Sequence, residues 1–268
     1  LGQQINFIQT WEGKRSSPES LIVTLNDSGI RQGLFWCLQA YHELTQLAAH
    51  LGPEQPVHGM RSGHLIMEYT EENLAAISAH YASEMIELQS DGSFLLGGNC
   101  QGGWIALDIA RRLHELGREV KLLFLMEQQS FSHYDGPVSL IFGRDSEFNP
   151  YKKDDYPEGR FHDAYPQGFT IDLIGGAHGE FFKSPNVETL ASAISQRLNE
   201  RFSSDLWRYE WTRIHDPLTK PASENGSSPE SSDRCVDRRS FRTQEGAWCG
   251  HDYRRFRMGA PPGAANRH

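Results

Sequence analysis

The sequence predicts an α/β protein with a mostly parallel central sheet, and three observations support this prediction. Short apolar runs alternate with longer segments of helical periodicity over residues 21–204. Alternation of this kind is typical of a parallel sheet with helices on both faces. Glycine and proline mark the boundaries, as in Gly52-Pro53 and at Gly117. The 268 residues are enough for one large core with a tail.

The predicted strands are apolar runs bounded by turn residues, at residues 21–23, 34–38, 57–60, 94–97, 120–126, 138–142 and 169–174. Apolar residues recur at helical spacing between or after these runs, at residues 44–51, 74–88, 104–116 and 187–198. Thr70 can cap the second helix, with Glu71 and Glu72 in its first turn. Ser184 and Pro185 are suited to begin the last helix.

The chain divides into three parts by composition. Residues 1–20 are polar and are expected to be a linker that enters the domain at residues 21–204. The periodicity ends there, and residues 205–268 are rich in arginine, serine, proline and glycine, so we expect a disordered tail. Because the chain begins with Leu1 rather than methionine, we expect a fragment of a longer protein.

Charge and cysteine usage exclude several classes of function. A net charge of -9 argues against a nucleic-acid partner. No apolar run approaches the roughly 18 residues of a membrane span, and no secretory signal is visible. The spacing of Cys37, Cys100, Cys235 and Cys249 fits neither a disulfide framework nor a zinc site, and His251 completes at most a partial metal set. We therefore expect free thiols, no metal and a cytoplasmic location.

The strongest motif is a glycine-flanked cysteine at residues 98–103, which read Gly-Asn-Cys-Gln-Gly-Gly between a strand and a helix. A turn of this pattern is the nucleophile elbow of α/β hydrolases, and it makes Cys100 the candidate nucleophile. The helix N-terminus favours the reactive thiolate, and the N–H group of Gln101 is a candidate oxyanion donor. The alternative is a glycine-rich turn that packs a small buried cysteine.

A thiol nucleophile needs a base, and His178 is the candidate. It lies in a glycine-rich loop, residues 175–179, directly after the last predicted strand. The base needs an orienting acid in turn. Glu127 and Asp145 each follow an apolar strand and would project at the same sheet edge as Cys100. Both remain candidates, and a solvated loop carboxylate is the alternative for either.

Several segments, taken in order, carry a resemblance to a known family. They are residues 34–37 (Leu-Phe-Trp-Cys), 41–44 (Tyr-His-Glu-Leu), 55–59 (Gln-Pro-Val-His-Gly) and 94–98 (Phe-Leu-Leu-Gly-Gly), with His178 before the last helix. With them, the region of about residues 20–200 resembles the terminal thioesterase domains of non-ribosomal peptide and polyketide synthases. The resemblance implies the α/β-hydrolase fold. It also implies release of an acyl or peptidyl chain from the 4'-phosphopantetheine of a carrier protein, with no cofactor bound in the domain itself.

The resemblance also implies roles for particular residues. The family's acid lies at the end of the strand after the nucleophile helix, which favours Glu127 over Asp145. Its second oxyanion donor lies in the loop after the strand at residues 34–38, where Gln39 or Ala40 would supply it.

This chain departs from the family in three ways. Cys100 replaces the usual serine, and Glu127 replaces the usual aspartate. Only the nine residues 128–136 stand where the family inserts a helical lid, so we expect a short or absent lid and an open site, or one covered by a partner.

These residues predict a thioesterase with a Cys100-bound acyl-enzyme, which could end in hydrolysis, cyclisation or aminolysis. Two other hypotheses remain. The first is a free-standing hydrolase of small esters or lactones on the same fold, and the second is a non-catalytic binding module.

Overall fold

Seven strands form one sheet in the computed structural model of the protein, which describes residues 12–128 and 132–203. They are β1 (Val23–Leu25), β2 (Leu34–Leu38), β3 (Val57–Arg61), β4 (Phe94–Asn99), β5 (Val120–Met126), β6 (Val138–Gly143) and β7 (Phe169–Ile174). Their order across the sheet is β1-β3-β2-β4-β5-β6-β7. The pairing is parallel throughout, apart from the antiparallel edge pair β1–β3.

Helices follow most of the strands, as expected where each parallel strand needs a crossover connection. They are α1 (Tyr41–Leu51), α2 (Glu71–Leu88), α3 (Gln101–Glu115), α4 (Glu158–Ala164) and α5 (Asn186–Ser203), with a 3₁₀ turn at Pro150–Lys152. The short α4 and the 3₁₀ turn lie between β6 and β7, where the sequence had predicted no element. None of the helices in the described residues is long and apolar enough to cross a membrane.

The sheet separates two apolar layers, and neighbouring residues of β2 contribute to opposite layers. Phe35 and Cys37 pack with α2 and α3, whereas Trp36 packs with α1 and α5. This alternation follows from the two-residue repeat of a strand. Because both faces are covered, all five residues of β2 are fully buried, and the predicted parallel α/β fold is confirmed.

The ends of the chain are described only in part. Residues 12–20 contact the domain: Lys14 pairs with Thr24 in an isolated bridge, and the Ser20 hydroxyl donates to Glu84 at 2.7 Å. The predicted linker, domain and tail boundaries stay predictions. Residues 1–11 and 204–268, with the expected tail and the partial metal set, lie outside the described residues.

Candidate active site

Cys100 occupies the sharp turn between β4 and α3. Its backbone adopts φ 50° and ψ -123°, a left-handed conformation that is costly for a residue with a side chain. The turn depends on its glycines, because a Cβ atom on Gly98 would collide with the carbonyl oxygen of Gly102. A Cβ on Gly102 would collide with the carbonyl oxygen of Cys37 on β2. The sequence 98–103 therefore forms a strained strand–turn–helix arrangement with the geometry of a nucleophile elbow.

His178 lies beside this turn, in the loop between β7 and α5. Its Nε2 atom is 3.4 Å from Sγ of Cys100, within hydrogen-bond distance for sulfur. The ring of Phe148 meets the imidazole edge-on, with 4.7 Å between ring centroids. The imidazole side chain remains 32% exposed, so the sulfur–imidazole pair can be reached from solvent.

Glu127, and not Asp145, is the carboxylate that contacts His178. Its Oε2 atom lies 3.0 Å from Nδ1 of the imidazole, and its side chain is fully buried. Two further donors fix the carboxylate: the main-chain N–H of Gly143 reaches Oε1 at 2.7 Å, and the hydroxyl of Ser146 reaches Oε2 at 2.5 Å. Asp145 is exposed, and its main-chain N–H donates to the carbonyl of Gly176. The structure thus brings Cys100, His178 and Glu127 together in one chain of contacts.

These contacts assign the single proton of a neutral His178 imidazole to one of its two nitrogens. A carboxylate can only accept, so Nδ1 carries the hydrogen that faces Glu127, and Nε2 is left to accept from the Cys100 thiol. Burial, together with the negative charges of Glu127, Glu43 and Glu147, raises the pKa of the Cys100 thiol above its ordinary value. These effects oppose the helix N-terminus, which was expected to favour a thiolate. The resting group is therefore a thiol.

The two predicted oxyanion donors differ in the structure. Gln101 is the first residue of α3, and a helix leaves the N–H groups of its first turn without a partner inside the helix. The N–H of Gln39, in contrast, donates to Oε2 of Glu43 at 2.8 Å, and the N–H of Ala40 approaches the same atom at 3.4 Å. In this arrangement neither Gln39 nor Ala40 offers an open donor, unlike the expectation from the sequence.

Three contacts at the site were missed by the sequence analysis. Ser146 anchors Glu127, the side-chain amide of Gln128 donates to the carbonyl of Cys100 at 2.5 Å, and Glu43 holds the loop after β2. Ser146 and Gln128 each lie within three residues of a strand end at the same sheet edge, which was an available signal. Glu43 stands at the third position of α1, where a carboxylate commonly caps a helix.

The connection between Glu127 and β6 is consistent with the predicted short or absent lid. Residues 128 and 132–137 contain neither helix nor strand. Residues 129–131 lie outside the described residues. Tyr134 is buried there, and its main-chain N–H donates to the carbonyl of Ala164 at 2.9 Å. This part of the connection is therefore held against α4.

The sheet order and the elbow at Cys100 define the class of protein: the chain has an α/β-hydrolase fold. Residues 40–137 match the model of the thioesterase-domain family. The resemblance inferred from the sequence is confirmed: the chain is similar to thioesterase domains, including those of non-ribosomal peptide synthetases.

Individual relatives agree with this assignment. The chondramide synthase cmdD of Chondromyces crocatus is 30% identical over 113 residues, which are 41% of this chain and 3% of that protein. The NocB thioesterase domain, in a covalent complex with a fluorophosphonate nocardicin G analog, matches with a TM-score of 0.56 at 18% identity, over 66% of this chain and 99% of that chain. The surfactin thioesterase domain SrfTE matches with a TM-score of 0.52 at 14% identity, over 66% and 95% of the two chains. The chain thus spans a small part of the length of the synthase that it matches.

Proposed function

We propose that the chain is a thioesterase that releases an acyl or peptidyl chain from the phosphopantetheine arm of a carrier protein through a thioester on Cys100. The observation that carries the proposal is the chain of contacts from the sulfur to Nε2 of His178 at 3.4 Å and from Nδ1 to Glu127 at 3.0 Å. A nucleophile, a base and an orienting acid in this order are the groups that acyl transfer requires.

The first half-reaction transfers the acyl group to the protein. Nε2 of His178 removes the proton of the Cys100 thiol as the sulfur attacks the thioester carbonyl carbon, and the carbonyl electron pair moves to oxygen. The N–H of Gln101 is placed to stabilise this oxyanion. When the oxyanion collapses, the bond to the pantetheine sulfur breaks, and the departing sulfur takes the proton from His178. The products are acyl-Cys100 and a free pantetheine thiol.

The second half-reaction releases the acyl group and restores the free thiol of Cys100. Water, an amine or a nucleophile within the acyl chain attacks acyl-Cys100, gives its proton to His178, and displaces the Cys100 sulfur, which then recovers that proton. A thioester keeps the activation of the original substrate, unlike the ester that a serine would form. This property supports aminolysis and cyclisation as outcomes beside hydrolysis.

A carrier protein is the proposed partner. The relationship to synthetase domains supports this proposal, because the chondramide synthase is a large protein of which the matched segment is a small part. The short connection after Glu127 also supports it, since a site with little covering chain of its own can admit a carrier-bound arm.

Acylation of Cys100 is the direct test. The whole chain, its Cys100→Ala variant and a matched Cys37→Ala variant would be incubated with an octanoyl thioester on a phosphopantetheinylated carrier protein. Intact-mass and peptide-mass measurements would follow the acyl adduct, and a thiol reagent would follow the release of pantetheine. We expect an adduct on Cys100 in the wild type and in Cys37→Ala, and neither adduct nor release in Cys100→Ala. Pantetheine release at the wild-type rate in Cys100→Ala would refute the mechanism.

The substrate class needs a separate comparison. A free octanoyl ester would be tested beside the carrier-bound thioester at equal concentration. Faster turnover of the free ester would favour a small-ester hydrolase. If neither substrate acylates Cys100, although iodoacetamide alkylates it, the non-catalytic binding hypothesis is favoured.

A further inference from the structure

Glu43 occupies the main-chain donors beside the nucleophile. Its Oε2 atom accepts from the N–H of Gln39 at 2.8 Å and of Ala40 at 3.4 Å, and the side-chain amide of Asn99 approaches it at 3.3 Å. Asn99 directly precedes Cys100 in the sequence. Gln39 and Ala40 follow β2, the parallel neighbour of the strand that leads into Cys100.

The loop that carries Gln39 and Ala40 is fixed against the elbow. Strands β2 and β4 are parallel neighbours, with Cys37 paired to Gly98, so both strands end at the same level. Beyond that level, the Gln39 side chain donates to the carbonyl of Asn99 at 2.8 Å and accepts from the hydroxyl of Ser62 at 2.8 Å. The Gln39 backbone is therefore held beside Cys100 at the position where an acyl-transfer site of this fold needs its second oxyanion donor.

A carboxylate and an oxyanion cannot share these donors. Each N–H carries one hydrogen, and two negative oxygens brought to the same hydrogen repel each other strongly at a buried site. Glu43 is half-buried, and the loop from β2 to α1 is only two residues long, which leaves the N–H groups little freedom to turn elsewhere. Movement of the carboxylate is thus the simplest way to open the donors.

We propose that Glu43 is a positioning residue that keeps the second half of the oxyanion hole closed in the resting site, and that its carboxylate must withdraw before Cys100 can be acylated. The inference rests on the proposed acyl transfer at Cys100. It predicts that opening these donors accelerates reactions of Cys100 that form an oxyanion more than reactions that form none.

Two reactions at the same sulfur separate this role from a merely structural one. Iodoacetamide alkylates a thiolate by displacement and forms no oxyanion, whereas octanoyl-N-acetylcysteamine acylates the sulfur through one. Both rates would be measured on the peptide that contains Cys100, in the full chain. The ratio of acylation to alkylation then reports on the oxyanion hole, because the reactivity of the sulfur is common to both rates.

Three substitutions at Glu43 give different expected ratios. Glu43→Ala removes the acceptor, so the ratio should rise about tenfold or more, as one well-placed donor contributes roughly 10²–10³ in rate. Glu43→Asp shortens the arm and keeps the charge, so the ratio should rise while alkylation stays near the wild-type rate. Glu43→Gln keeps an acceptor oxygen and removes the charge, so alkylation should rise with the ratio unchanged.

The control is Glu72→Ala, which removes an exposed carboxylate from the first turn of α2 and should leave both rates unchanged. Thermal unfolding would verify that each variant is folded, and Glu43→Asp keeps the test valid if Glu43→Ala does not fold. An unchanged or lower ratio in both the folded Ala and Asp variants overturns the inference. Absence of any acyl adduct in the wild type and every variant, with alkylation intact, instead refutes the acyl transfer itself.

Discussion

The carboxylate of Glu127 reaches Nδ1 of His178 at 3.0 Å although its arm is one methylene longer than that of the aspartate the family resemblance implied. Glu127 adopts a positive φ of 58° directly after β5. Its carboxylate is then directed to the end of β6, where Gly143 and Ser146 hold it. The longer acid is thus held by contacts with Gly143, Ser146 and His178.

Glu127→Gln should lower the rate of Cys100 acylation by roughly 10²–10⁴-fold, because an amide can donate to Nδ1 and stabilise the wrong tautomer of His178. Rapid mixing with octanoyl-N-acetylcysteamine, followed by mass measurement of the adduct, gives this rate. The matched variant Asp145→Asn removes the exposed acid nearby and should keep the wild-type rate. If the acylation rate falls in Asp145→Asn and not in Glu127→Gln, Asp145 is the acid that orients His178.

The pH dependence of Cys100 alkylation should show no plateau near neutral pH. Burial and the carboxylates of Glu127, Glu43 and Glu147 raise the pKa of the thiol, so the reactive thiolate is a minor form that increases tenfold with each pH unit. Iodoacetamide labelling between pH 6 and about 10, read on the Cys100 peptide, measures this profile. A plateau below about pH 8 would instead indicate a resting thiolate paired with protonated His178.

Glu147→Gln should shift that profile towards lower pH. The substitution removes a negative charge that raises the thiol pKa, so the pKa falls and the thiolate fraction at a given pH increases. Glu147 is exposed and its charge is screened, so we expect about a twofold faster alkylation at pH 7. Glu72→Gln, on the distant first turn of α2, is the matched control and should leave the rate unchanged. Equal rates for all three proteins would contradict the assigned electrostatic cause.

Substitutions at two neighbouring glycines of the elbow should differ in stability. Gly102→Ala places a Cβ against the main-chain carbonyl of Cys37, which cannot move without shifting β2, so we expect a loss of about 2–3 kcal/mol. Gly103→Ala meets the side-chain amide of Gln128, which must give up its contact with the Cys100 carbonyl, but a helical alanine gains about 1 kcal/mol over glycine, so we expect a smaller loss. Urea unfolding of both variants gives the comparison. Similar losses of stability in the two variants would show that the contact between residue 102 and the Cys37 carbonyl does not limit substitution.

The sequence predicted the sheet well because buried parallel strands are continuous apolar runs. Residues 34–38 and 120–126 were predicted with the bounds that the structure has. The 3₁₀ turn and α4 were missed because elements of three and seven residues are too short to show a helical period. Helix α3 begins three residues before the predicted Trp104, since Gly102 and Gly103 weaken the local helix signal.

The contacts of the candidate site were harder to predict from the sequence than the sheet. The motif around Cys100 is local, so its turn could be recognised from residue order. The choice between Glu127 and Asp145 was not local, because both follow apolar strands and only the backbone angle at Glu127 and the anchoring by Ser146 separate them. The contact of Glu43 with Gln39 was missed because the sequence near a helix start does not show which main-chain N–H groups a side chain will contact.

The buried pair of Asp172 and Arg197 should contribute far more to stability than the partly exposed pair of Asp108 and Arg112. Two hydrogen bonds of 2.6 and 2.8 Å join β7 to α5 through the first pair, whose side chains are at most 2% exposed. Asp172→Asn removes the buried counter-charge of Arg197 and leaves the partly exposed carboxylate of Glu200, 2.8 Å from its guanidinium, so it should cost about 3 kcal/mol. Asp108→Asn breaks a partly exposed i,i+4 pair on one helix and should cost about 0.5 kcal/mol. Urea unfolding of both variants measures the difference, and losses within about 1 kcal/mol of each other would contradict the role given to burial.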